Sequence, residues 1–508
     1  MGDYLGATIC ITEVILLTAI LLFSHSASFL QYMEGVGLMA LSAKHGKVSI
    51  SDVIDHILKE DRAVALVQFI AIVGFTAIWC SCVGHPPVFV RESVVATIDT
   101  ADEIRIRLTT DNQQNDNIGI NGNRSNNKSS GRISVEQVCQ DPHSSFNQRY
   151  DAVLAYLDSL AKPVGSLGTL EDWAARLAAI QRTSTPSADN VACIIFAADH
   201  GVAADEKDGG SSCSAYPQSV TRKILEAFEA GVAGGSVLSR KHGASLCVVD
   251  VGLTGADFSG GVVTTSSHKI RGGTKNFCVE PAMSTEQVER CIVAGRTAVS
   301  QCLENTGAKV LVFGEVGIGN TTSSSAVLAA LTGTAAETLC DGGATMSHTV
   351  DESLIAKKVS IVKKALELHG IAINRPMMAL AKYGGAEIAS MVGAILQASE
   401  RNVAVLVDGF IVSTAATVAA HISPGVCKVL FFASRSSERG QQVAIGTIQQ
   451  IAQEHDVPEP PNPALSMGLR LGEGTGALMV IPILRSAAAV LSELATLDEV
   501  LELGSQPT

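Results

Sequence analysis

The sequence predicts an α/β protein: a mostly parallel sheet with helices on both faces, a smaller helical part, and apolar helices ahead of it near the N-terminus. Three observations carry this. Short β-branched runs recur through the second two-thirds of the chain without apolar–polar alternation, as in strands buried on both faces. Each run ends in a small or polar cluster and gives way to a helical pattern, the order of successive β-α units. The composition agrees. Of 508 residues, 46% are hydrophobic but 4% aromatic, and 46 are glycine, which suits small aliphatic strands, Ala-rich helices and tight loops better than an aromatic-rich sandwich.

Taken in order, the predicted strands are 191–198 (then Asp199-His200-Gly201), 246–251, 309–313 (then Gly314-Glu315), 403–407 (then Asp408-Gly409-Phe410) and 429–432 (then Ala433-Ser434-Arg435). Parallel sheets bind ligands at the carboxyl ends of their strands, so these clusters converge on one edge. Ahead of them, residues 63–83 carry no charge over the roughly 20 residues needed to span a hydrocarbon core, with Trp79 near the end, and read as a transmembrane helix. A core helix is the alternative. The shorter run 9–23 contains Glu13 and reads as a second span, an uncleaved anchor or an interfacial helix. Residues 109–132 are rich in Asn, Ser and Gly and predict a disordered linker. The chain therefore divides into a membrane-associated region (1–108), the linker, and a soluble domain (133–508).

The net charge of −13 and the lack of a long basic run exclude a nucleic-acid partner. The 12 cysteines are scattered without a Cys-x-x-Cys, so neither a metal site nor a disulfide framework is written here, and a reducing compartment is expected for the soluble domain.

Several stretches could carry chemistry. Gly472-Glu473-Gly474 sets a carboxylate between residues that let backbone approach a ligand, although such a turn alone is commonly a solvated loop. Residues 314–323 (GEVGIGNTTS) follow a strand and lead into a helical run at 325–331, an arrangement whose amides and dipole suit a phosphate monoester. No Gly-Lys-Ser/Thr closes the loop, which argues against a nucleoside triphosphatase. Thr349–Glu352 reads as a capping box for a helix ending at Gly370, and on that helix Lys358 shares its face with Leu354, Ile361 and Ala365. Lys358 thus points inward and needs an anion, or it snorkels. Asp199-His200 invites a hydrolase triad, but there is no Gly-x-Ser-x-Gly elbow and adjacent residues do not ordinarily pair as a triad requires.

In fixed order the chain carries KPVGSLG (162–168), AADHGVA (197–203), SAYPQSVT (214–221), GEVGIGNTTSS (314–324), GGAEIASM (384–391), VLVDGF (405–410) and LRLGEGTGA (469–477). Over roughly residues 135–503 it resembles the nicotinate-nucleotide:dimethylbenzimidazole phosphoribosyltransferase family of cobalamin lower-ligand biosynthesis. The resemblance implies transfer of the phosphoribosyl group of nicotinate mononucleotide to 5,6-dimethylbenzimidazole with inversion at the anomeric carbon, no cofactor or metal, and a homodimer. It implies Glu473 as general base, with Glu315 and Lys358 beside it. Gly317, Gly319, Asn320 and Thr321 would bind phosphate, Asp408 would lie near the ribose, and Gly474, Thr475 and Gly476 would border the nucleotide. Ser214, Tyr216 and Gln218 would border the base. The chain departs from the family in a longer 202–214 loop. It also lacks two histidines, having Ser434 and Gln441 where the family often shows histidine. A catalytically silent homologue that binds the same ligands as a sensor or scaffold is the competing reading.

Overall fold

The computed structural model describes residues 130–343 and 351–503. The predicted helices 9–23 and 63–83, and the linker up to residue 129, lie outside the described residues. The last predicted linker positions do not: a helix, Ser130–Gln140, begins at 130.

Among the described residues eight strands form two sheets: β1 (Val191–Ala198), β2 (Ser245–Gly252), β3 (Val263–Thr265), β4 (Val310–Val316), β5 (Ala404–Val407), β6 (Leu430–Phe432), β7 (Ser434–Ser436) and β8 (Leu465–Leu469). The main sheet has the order β3-β2-β1-β4-β5-β6, and each neighbouring pair in it is parallel. β7 and β8 make a separate parallel pair. Order reverses between β1 and β4, the switch point where doubly wound sheets open a crevice at their carboxyl edge.

β1, β4 and β5 are buried along their whole lengths, which explains why their sequences do not alternate. Ala198 and Gly252 face Ala386, the first residue of helix Ala386–Glu400. Ile195 and Val312 instead face Gly474, just before helix Thr475–Glu493, so the two helices cover opposite faces. Among the described residues, Thr475–Glu493 is the one helix long and apolar enough to cross a membrane, and 56% of its apolar window is buried inside the fold. Core burial accounts for its apolarity.

The smaller helical part combines Phe146–Asp158 and Thr169–Gln181 with the chain's C-terminal end, where Leu160 bridges Thr496. Two contacts fasten it to β6 and to the segments flanking that strand. Trp173 meets Phe431 of β6 edge-to-face at 5.4 Å, and the buried Arg176 guanidinium donates to the carbonyls of Cys427, Pro458 and Glu459.

Three sequence expectations shift. β4 runs on through Glu315 and Val316, so Glu315 projects from a strand rather than a loop. The helix expected from 325 begins at Asn320. The helix carrying Lys358, Glu352–His369, is capped by Asp351, whose carboxylate accepts from the amides of Ser353 and Leu354; the cap is one residue before the helix, and Thr349 lies outside the described residues.

Gly314 sits mid-strand in β4 because the 472–474 loop lies directly on it: a Cβ there would stand 2.3 Å from the Gly474 nitrogen. Gly314→Ala is therefore expected to cost about 1–3 kcal/mol through overpacking. Urea unfolding with an unchanged midpoint would show that the loop does not rest on the strand.

Candidate active site

The loops beyond β1, β4, β5 and β6 enclose a cleft of about 340 Å³. Of the residues singled out from sequence, Ser214, Tyr216, Glu315, Gly317, Gly319, Asn320, Thr321, Lys358, Asp408, Glu473 and Thr475 line it. Gln218, Gly474 and Gly476 do not. The Gln218 side chain donates instead to the His200 carbonyl at 3.1 Å, and the Gly474 and Gly476 amides turn toward the Asp408 carboxylate.

Glu473 lies in a left-handed stretch: φ is 81° at Gly472, 57° at Glu473 and 70° at Gly474. A non-glycine residue in that region is uncommon, and the conformation persists because its surroundings fix it. The Glu473 amide donates to the Glu315 carbonyl (3.3 Å). Its carboxylate accepts from the Gly235 amide (2.9 Å), in the first turn of helix Gly234–His242. Glu473 is 7% exposed. Burial pushes its carboxyl above the usual range, opposed by the Gly235 and Gly234 amides.

Glu315 and Asp408 stand in the same buried corner. Burial, then the charges of Asp408, Glu387 and Glu473, raise Glu315 well above an ordinary carboxyl, against a hydrogen bond from the Asn320 side chain. Asp408, from the end of β5, accepts the Ala477 amide at 3.1 Å. Burial raises it to about 7, opposed by amides of Ala477, Gly476, Gly409 and Gly474. Since Ala477 and Gly476 open helix Thr475–Glu493, Asp408 also serves that helix as an anion at its positive end.

The 317–321 and Lys358 side of the cleft is built differently from the simple amide cradle the sequence implied. The Asn320 amide closes a turn onto the Gly317 carbonyl, and the Ile318 amide goes to the Thr221 hydroxyl, so neither is free. Lys358 compensates. It is 3% exposed, and its ammonium donates to the Asp341 carbonyl (3.0 Å) and the Thr321 hydroxyl (3.2 Å). No carboxylate lies within ion-pair distance of it among the described residues. A buried cation bound by neutral oxygens at a helix N-terminus is a receptor for an anion. Buried Glu438 helps shape this corner by accepting the Gly343 amide at 2.8 Å.

Ser214 and Tyr216 form one wall, joined by a 3.2 Å bond from the Tyr216 amide to the Ser214 hydroxyl. The apolar part of the lining, Val220, Ile224, Val316, Ile318, Phe410, Ile411, Leu469 and Leu471, was given no role from sequence. Val220 and Ile224 are spaced i, i+4 on helix Val220–Glu229, a signal available in the sequence; the others are gathered only by the fold.

A family model described as phosphoribosyltransferase matches residues 144–500. The nicotinate-nucleotide–dimethylbenzimidazole phosphoribosyltransferase of Pseudomonas putida (strain GB-1) is 38% identical over 357 residues, covering 70% of this chain and 95% of that protein. The chain belongs to the nicotinate-nucleotide–dimethylbenzimidazole phosphoribosyltransferase family. A namesake from Bradyrhizobium diazoefficiens is also 38% identical, over 68% of this chain and 92% of its own length. The crystal structure of the Thermus thermophilus phosphoribosyltransferase of the same name superposes with a TM-score of 0.61 at 32% identity, covering 71% of this chain and 98% of that one.

The two departures at family histidine positions are compact in structure. Gln441 is 1% exposed. Its side chain donates to the Ser434 carbonyl (2.8 Å) and accepts from the Ser436 amide (2.7 Å), holding β7 in place. The long 202–214 loop contains two short 3-10 turns and is pinned by Asn276, which donates to the Gly209 carbonyl at 2.9 Å.

Asp408 gives a stability signature. Its folded-state value, about 7, lies above the unfolded value, so its contribution is greatest below about pH 4 and is lost as pH rises through 7. The melting-temperature advantage of wild type over Asp408→Asn should therefore shrink between pH 4 and 7 and level off above. A pH-independent difference would mean that Asp408 titrates normally.

Proposed function

We propose that this protein transfers the phosphoribosyl group of nicotinate mononucleotide to 5,6-dimethylbenzimidazole, giving α-ribazole 5′-phosphate and nicotinate for assembly of the cobalamin nucleotide loop. One observation carries the reading: a single cleft holds both the anion receptor at Lys358 and a buried carboxylate, Glu473, kept in a strained turn. A protein that only bound the same ligands would have no use for such a base.

In this reading Lys358, Thr321 and the turn 317–320 hold the 5′-phosphate, and Ser214, Tyr216 and the apolar residues hold the benzimidazole. One ring nitrogen attacks C1′ of the ribose from the face opposite nicotinate. The C1′–N bond to the pyridinium breaks, and its electron pair stays on nitrogen, so nicotinate leaves with a neutral ring and the anomeric configuration inverts. Glu473 takes the proton from the other azole nitrogen. A carboxylate raised by burial suits a weakly acidic N–H better than an exposed one. Glu315 and Asp408 lie where positive charge grows on the ribose, and fixed negative groups there favour the transition state.

Three wider features belong to the same proposal. The region 1–108 tethers the enzyme to a membrane through 63–83. The nine described cysteines are all free, consistent with a catalytic domain in a reducing compartment. The protein is a homodimer, supported by an uncovered apolar face at the C-terminal helix, where Leu497, Leu501 and Leu503 are exposed.

The soluble domain mixed with nicotinate mononucleotide and dimethylbenzimidazole should yield α-ribazole phosphate by mass spectrometry; no product would sink the assignment. Glu473→Gln should lower turnover roughly a hundred- to ten-thousand-fold while keeping nucleotide affinity. Undiminished turnover would remove Glu473 from the role of base. Wild-type turnover should fall as pH drops through the raised Glu473 value, so its acid limb lies above that of an exposed glutamate.

The tether is tested separately. After carbonate extraction the full-length chain should stay with the membrane pellet, and its appearance in the supernatant would exclude a spanning helix.

A further inference from the structure

The Asp199-His200 pair found in the sequence takes no part in the chemistry above, yet His200 is wholly buried beside the cleft. Its Nε2 lies 2.7 Å from a carboxylate oxygen of Glu387, which is also wholly buried and stands in the first turn of helix Ala386–Glu400. His200 Nδ1 and the second Glu387 oxygen have no hydrogen-bond partner among the described residues. Burying such a pair costs desolvation that an apolar pair of similar volume would avoid. Among the described residues no serine, threonine or cysteine is hydrogen-bonded to the His200 ring, so the hydrolase reading has no nucleophile–base pair.

Three contacts connect the pair to the site. A Cβ at Gly317 would stand 3.2 Å from His200 Nε2, and one at Gly319 would stand 3.4 Å from the His200 Cβ, so the phosphate turn rests on the histidine. The His200 carbonyl accepts the Gln218 side chain, which ends the Ser214–Gln218 wall. The Glu387 carboxylate lies close enough to Glu315 to act on its charge. Asp199 is occupied elsewhere, accepting the Thr254 amide at 2.8 Å.

We propose that His200 and Glu387 form a positioning pair that holds the phosphate turn and the base wall in register for phosphoribosyl transfer. The proposal rests on the function assigned above. Neither residue lines the cleft, so both act through others, and a misplacement of about 1 Å that starts away from the reacting atoms can cost about a hundredfold in rate.

The pair also bears on Glu315, which is faced by Asp408 from β5, Glu473 from the last loop, Asn320 from the phosphate helix and Glu387 from behind. Replacing the Glu387 charge by an amide removes one negative neighbour. Glu315 then loses its proton at lower pH.

The experiment compares wild type with Glu387→Gln and with the double variant His200→Leu/Glu387→Leu. The readouts are melting temperature, calorimetric affinity for nicotinate mononucleotide, and the pH profile of kcat/KM. A folded Glu387→Gln protein should bind the nucleotide more weakly than wild type, with the acid limb of kcat/KM shifted downward. The double variant should fold at least as well as wild type yet stay up to about a hundredfold less active. Wild-type affinity and pH profile in Glu387→Gln, or wild-type activity in the folded double variant, would reduce the pair to a structural role and overturn the proposal. If Glu387→Gln does not fold, the double variant decides. If wild type makes no product, the assigned reaction fails, and the positioning role is still judged from nucleotide affinity.

Discussion

Everything at this site depends on the contact between the Gly472-Glu473-Gly474 turn and the end of β4. The turn reaches the strand because Gly314 and Gly474 present no side chain between them, and it is fastened by the bond from the Glu473 amide to the Glu315 carbonyl. A Cβ at Gly472 would stand 2.5 Å from a Glu315 carboxylate oxygen, so that glycine too is required by the approach. The contact has an electrostatic consequence. It brings Glu473 into the corner already occupied by Glu315 and Asp408, all three buried, where like charges act through a low dielectric.

The fold answers with oriented dipoles rather than cations. Glu473 is held by the start of helix Gly234–His242, Asp408 by the start of Thr475–Glu493, and Glu315 by the Asn320 side chain at the start of Asn320–Thr332. Three helices therefore aim their positive ends at one corner, where they offset part of the charge without neutralising it. Of the cations lining the cleft, Lys358 and Arg470, Lys358 is held by neutral partners. A nucleotide that is anionic at its 5′ end and cationic at its pyridinium matches this separation of charge, and so does a transition state with positive charge at C1′.

Much of this was legible in the sequence because burial on both faces writes itself as uninterrupted β-branched runs: β1 was located to the residue and β2, β4, β5 and β6 to within a few. The three short strands β3, β7 and β8 escaped, since runs of three to five residues including Ser, Gly and Thr have neither periodicity nor apolar bulk. The inward turn of Lys358 followed from helical spacing alone. The strand position of Glu315 did not, because Gly314 reads locally as a strand end and its reason for being in β4 is a loop more than 150 residues away. The left-handed backbone at Glu473 was likewise hidden, as it is imposed by that tertiary contact and not by any local preference of glutamate.

The family histidines absent here bear on how the site responds to pH. Ser434 and Gln441 occupy those positions, and Gln441 exchanges hydrogen bonds with β7 that do not depend on protonation. No histidine lines the cleft among the described residues. The ordinary source of a charge change between pH 5 and 8 is thus removed from the cleft wall. Carboxylates take its place: Asp408 is raised to about 7, and Glu315 and Glu473 are raised in the same direction. As pH rises through about 7 Asp408 gains negative charge, and Glu315 and Glu473 lose their protons above the ordinary carboxyl range, which in the proposed reaction strengthens the hold on a developing cation and lets Glu473 accept a proton. Both effects favour the forward reaction on the same side of the titration, so one burial-driven shift tunes binding and proton transfer together.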